Sequence, residues 1–84
     1  MARRKEDGAK AVPIMPPERF KAWRKSLGLS QKEAAEALGL KRRIVQYYEK
    51  GQREGSHVAV PKTVRLACYA LLQGCDDYTG PDKD

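Results

Sequence analysis

Hydrophobic positions recur at spacings of three and four along most of this chain, and four stretches carry the pattern. In the first, Pro16, Pro17 and Glu18 open a helix and Phe20, Trp23 and Leu27 face inward. Proline suits a first turn and an acidic residue suits the positive end of the helix dipole. Gly28 ends that helix and Leu29 tucks under the next. In the second, Ser30 and Glu33 form a capping box, and Ala34, Ala35 and Leu38 line one face before Gly39 turns the chain. In the third, at about 41–49, Ile44, Val45 and Tyr48 fall inward. Lys41, Arg42, Arg43, Gln46 and Lys50 fall mainly outward, with Tyr47 beside them. The fourth is opened by Pro61, and Val64, Ala67, Cys68 and Leu71 make one apolar stripe. Leu66, Tyr69, Ala70 and Leu72 make that last helix apolar nearly all round, and Gly74 stops it.

Between the third and fourth stretches, residues 50–60 read as a long connection in which Gly51 and Gly55 permit sharp bends. The alternation from His57 to Val60 is compatible with extended chain. No period is sustained over residues 1–15, which read as a basic arm. Arg3, Arg4 and Lys5 there either track phosphates, enter a minor groove, or merely solubilise the chain. The tail, 75–84, is acidic. These divisions predict an arm (1–15), a folded domain (16–74) and a loose tail (75–84).

The stretch from Ser30 to Lys50 resembles the helix-turn-helix of the lambda-repressor/Cro-like (XRE) DNA-binding domains. The matching residues are Gln31 at the start of the first helix of the pair, and Ala35 where the two helices come closest. Leu38, Gly39 and Leu40 match at the turn, Val45 inside the second helix, and Tyr48 with Glu49 near its end. The likeness extends over about residues 17–73. It implies an all-α domain of four to five helices, and a structural ion pair between Arg24 and Glu49. One departure concerns the cap of the reader helix: the family often places Ser or Thr there, where this chain has Leu40 and Lys41.

The same resemblance implies which side chains meet DNA. Arg42, Arg43, Gln46 and Tyr47 stand where base edges are reached, and the major groove admits one such helix. Arginine forks onto guanine and glutamine onto adenine. Tyr47 has three open roles: touching a thymine methyl, bonding a phosphate through its hydroxyl, or packing sideways. Ser30, Gln31 and Lys32 stand at a helix N-terminus that favours anions. With Lys41, Lys50 and Arg53 they are the expected phosphate contacts. Leu66, Tyr69, Ala70 and Leu72 are the expected dimer interface, because a chain this small has too little protein to cover an all-apolar helix. Trp23, the single tryptophan, packs in the core or meets a partner.

Charge strengthens this picture. The net charge is +6, and residues 16–74 carry +7 of it, against +2 on 1–15 and −3 on 75–84. Cationic charge on the folded middle is the footprint of a nucleic-acid binder. Two cysteines, Cys68 and Cys75, are too few for a disulfide framework and are not spaced as CxxC. His57 is alone, so no metal-ligand set is expected. No apolar run of about 18 residues or signal core is present, so the expectation is a cytoplasmic, nucleoid-associated protein of a bacterium or phage.

These features predict a sequence-specific transcriptional regulator: a homodimeric autorepressor on an inverted-repeat operator in double-stranded DNA, as in phages or mobile elements. No enzyme activity, cofactor, small-molecule ligand or membrane partner is expected. Residues 40–73 also resemble the small anti-CRISPR-associated repressors. The alternatives are an antitoxin-type DNA-binding protein, whose DNA-binding half would look the same, and a helix-turn-helix module that docks a protein. The latter calls for an apolar or acidic reader helix, which Lys41, Arg42 and Arg43 contradict. A single-strand RNA reader stacks bases on exposed aromatics, and Tyr47 is the one candidate.

Overall fold

The structure, a computed structural model, describes residues 14–82. The arm expected at the N-terminus therefore lies almost wholly outside the described residues. Four helices follow one another: α1 (Pro17–Ser26), α2 (Gln31–Leu38), α3 (Arg42–Lys50) and α4 (Lys62–Leu72). A two-stranded antiparallel hairpin, β1 (Gln52–Arg53) and β2 (Ser56–His57), sits between α3 and α4. The fold is all-α apart from this hairpin.

Local chemistry accounts for the helix ends. Pro16 precedes α1 in extended conformation, and Glu18 occupies the first turn. At α2 the capping box is complete: the Glu33 amide donates to Ser30 Oγ at 3.0 Å, and the Ser30 amide to Glu33 Oε1 at 2.8 Å. Gly39 takes the left-handed φ of 74° that α2 needs to end and turn, a conformation costly for residues with a Cβ. The Leu40 amide then closes back on Ala35 O at 2.8 Å. Lys41 is the cap of α3 and makes no side-chain capping bond, so the reader helix starts at Arg42, one residue later than expected.

The core is built from all four helices. Phe20 is fully buried and makes two aromatic contacts, with Trp23 and with Tyr48, each at 5.4 Å between ring centroids. The Tyr48 contact is edge-to-face, the arrangement the ring quadrupoles favour. Trp23 is a core residue, and its indole donates to Cys68 O at 2.9 Å, tying α1 to α4. Ala34 and Ala35 are buried on α2 and Val45 on α3. The small Ala35 leaves the close approach of those two helices open. Val60 and Val64 close the core from the last third of the chain.

Within the long connection expected over residues 50–60, the structure forms this hairpin. Glu54 and Gly55 both have positive φ, 50° and 85°. That is the two-residue turn whose twist suits a tight antiparallel pair. Its sequence signal was Gly55 alone, because glutamate rarely adopts such a φ. All four strand residues are exposed, so no alternation announced the strands. Beyond the hairpin, Val58 is half-buried and Val60 buried with Ala59 exposed between them, the alternation of an extended segment.

Candidate nucleic-acid interface

Burial of Val45 and Tyr48 sets how α3 faces. Positions 43 and 50 lie opposite that buried side at 100° per residue, and Lys41, Arg42, Arg43 and Lys50 are all exposed. Gln46 and Tyr47 are half-buried on the two flanks. The expected phosphate contacts Ser30 and Lys32 are exposed at the start of α2, Gln31 is half-buried there, and Arg53 is exposed on the hairpin.

The structure links several of these residues through one polar chain. Arg24 Nε donates to Glu49 Oε2 at 2.5 Å and Arg24 Nη2 to Glu49 Oε1 at 3.2 Å. A second guanidinium nitrogen, Nη1, donates to Leu29 O at 2.8 Å, which pins the loop before α2 to α1. Gln31 Nε2 donates to Glu49 Oε1 at 3.1 Å, and Gln46 Nε2 makes a longer contact with Gln31 Oε1 at 3.5 Å. The Arg24 and Glu49 side chains are only 11% and 7% exposed. The pair therefore serves as the fixed end of a line running outward through Gln31 to Gln46.

Electrostatics agree with the geometry. Burial alone would push the Glu49 carboxyl up. Hydrogen bonds from Arg24 and Gln31, with the charges of Arg24 and Lys21, outweigh it and leave the group below its ordinary value. The hydrogen bond it donates to Glu49 correspondingly raises Arg24, against the effect of burial. Both partners stay charged at neutral pH.

Beside this chain lies an open cleft of about 390 Å³ lined by Lys21, Gln31, Gln46, Glu49 and Lys50. Two ammonium groups, two amides and the Arg24-paired Glu49 carboxylate border it, and the ammonium groups suit an anion such as a DNA phosphate. Lys21 was not among the candidates read from sequence. Its signal was its place one turn before Arg24, on the side of α1 that meets α3. On the opposite flank, the Arg53 guanidinium lies 5.4 Å from the centre of the Tyr47 ring. Tyr47 thus packs sideways against the hairpin.

Two short helices joined by a glycine turn, the second with an exposed cationic face, make a recognisable unit. Residues 20–54 fit the helix-turn-helix family model. They are a helix-turn-helix of the XRE type. No curated protein and no solved structure shows a significant match to the chain. Residues 20–54 therefore support a DNA-binding regulator, and the family they match is one of DNA-binding domains. Among the described residues, no helix is long and apolar enough to cross a membrane.

The other expected interface lies on α4, outside the residues that match the helix-turn-helix family. Leu66, Tyr69 and Leu72 of α4 are 59%, 61% and 50% exposed, and Ala70 is half-buried. Leu66 and Tyr69 stand on the side of α4 away from buried Val64 and Cys68, while Leu72 stands nearer the edge of the core.

Proposed function

We propose that this chain is a homodimeric repressor that reads an inverted-repeat operator with α3 in the major groove. The observation that carries this reading is the exposed face of Arg42, Arg43 and Lys50, flanked by Gln46, beside the N-terminus of α2. Arg42, Arg43 and Gln46 reach base edges, while Ser30, Gln31, Lys32, Lys41, Lys50 and Arg53 hold phosphates. The domain of residues 16–74 does this work, and the acidic 75–84 tail keeps stray nucleic acid away from it.

Exposure of Leu66, Tyr69 and Leu72 supports dimerisation. A two-fold interface is self-complementary, so one apolar patch serves both copies. Such a dimer sets two reader helices in successive major grooves, about 34 Å or 10–11 base pairs apart. In this reading the protein represses its own gene, so operator occupancy follows its own concentration.

The test is a mobility shift with the DNA just upstream of the protein's own gene against scrambled DNA, combined with sedimentation. Arg43→Ala and Gln46→Ala should each weaken operator binding by about 1–3 kcal/mol and relax specificity at one base pair. Equal losses on both DNAs would reassign those side chains to phosphates. Tyr69→Glu should give a monomer that binds a single half-site weakly. A wild-type monomer still tight on one full operator would refute the dimer.

A further inference from the structure

The hairpin buries none of its four strand residues, yet it is held in one place. Gly51 leads into it at φ 79°, and the Val58 amide donates to Gly51 O at 3.0 Å across its base. Isolated pairs this short are not stable by themselves. Against α3 it sets Arg53 over the ring of Tyr47, 5.4 Å from the ring centre. Tyr47 lies on the flank of α3 away from Gln46 and its contact with Gln31. The exposed face of α3 therefore has two borders: the N-terminus of α2 on one side, and Arg53 on the other. Major grooves are about 12 Å wide and are bounded by two phosphate backbones.

We propose that Tyr47 and Arg53 act as one phosphate clamp at the hairpin side of the groove: Tyr47 is a positioning residue that holds the guanidinium toward the backbone, and it reads no base. Three features support this. The ring is half-buried and one face is taken by the guanidinium, which leaves little of it for a base. Arginine is long and flexible, and a stacked guanidinium loses less freedom when it binds. Arg53 is exposed, and among the described residues no carboxylate pairs with it. The proposal rests on α3 being the element that lies against DNA.

The test is the salt dependence of binding to a labelled B-DNA duplex of about 30 base pairs, long enough for either register or copy number. Wild type, Arg53→Ala, Tyr47→Ala, Tyr47→Phe and the Arg53→Ala/Tyr47→Ala double variant are compared at ~50 and ~200 mM salt. Loss of one phosphate contact makes the ratio of wild-type to variant affinity about 3.5 times larger at the lower salt. Arg53→Ala, Tyr47→Ala and the double variant should all show this same change, and Tyr47→Phe should behave as wild type. Tyr47→Phe as weak as Tyr47→Ala would overturn the clamp in favour of a hydroxyl contact. Losses that add in the double variant would overturn it in favour of two independent contacts. A wild type that ignores DNA altogether would overturn the DNA-binding reading, and the clamp with it. Arg53 is exposed and Phe keeps the ring, so those two variants test the clamp even if Tyr47→Ala melts early.

Discussion

Removing the carboxylate of Glu49 should be among the most damaging single changes in this domain. Glu49→Ala deletes three hydrogen bonds, two from Arg24 and one from Gln31. It leaves a guanidinium only 11% exposed, with Leu29 O as its remaining partner. Breaking one side of a buried pair costs about 3–5 kcal/mol, because the stranded charge cannot recover its water. The retained bond to Leu29 and the exposed edge of Arg24 place this case near the lower end, at about 3 kcal/mol. A chain of this size is stable by roughly 4–13 kcal/mol, so the loss is a large share of the total. At about 4–8 °C per kcal/mol, the melting temperature should fall by about 12–24 °C. The assay is a thermal melt by circular dichroism on wild type, Arg24→Ala, Glu49→Ala and the double variant. The losses should be strongly non-additive, since either single change already breaks the pair. Arg24→Met with Glu49→Leu should recover most of the stability, because neither charge is then stranded. A single-variant loss below about 1 kcal/mol, or losses that simply add, would mean that water screens the pair like a surface ion pair.

Other consequences are smaller. Because the Glu49 carboxyl lies below its ordinary value in the folded chain, the unfolded state takes up that proton first as pH falls. Its stabilisation is complete above the unfolded value of about 4.3 and is lost as pH drops through the folded value. Glu49→Gln should therefore melt with a shallower acid dependence than wild type below about pH 5, and an unchanged slope would count against the shift. Gly39→Ala should cost only the left-handed strain, about 1–2 kcal/mol, because nothing lies within 4 Å of a Cβ there. Gly51→Ala should cost more in the same melts, since its Cβ would stand 2.8 Å from Pro17 Cγ at a φ of +79°. Equal losses at the two glycines would show that Pro17 yields freely. Burial pushes the Cys68 thiol up to about 11, while Cys75 is exposed. A thiol reagent at neutral pH should thus find one fast group per folded chain and the second only on unfolding; two fast groups would show that the α4 packing opens.

The four helices could be read from sequence because their determinants are local. Phe20, Trp23 and Leu27 recur at helical spacing, Ser30 with Glu33 is a complete capping box within four residues, and Gly39 sits where a helix must reverse. Each of these acts through neighbours three or four positions away, which is as far as a sequence pattern reaches. The Arg24–Glu49 pairing was implied by family resemblance, not by any local signal, because the two residues lie 25 positions apart in the chain. The hairpin escaped because two-residue strands with exposed side chains leave no periodicity, and Glu54 adopts a conformation that its residue type disfavours. The rest was decided by how the helices pack. Only the crossing of α1, α2 and α3 brings Lys21, Gln31, Gln46, Glu49 and Lys50 around one cleft. Only the docking of the hairpin lays Arg53 over Tyr47. Sequence determined which residues are cationic and which face of α3 is outward. Tertiary structure decided which of those side chains are tethered to a buried carboxylate and which lean on an aromatic ring, because such contacts depend on distances between elements far apart in the chain.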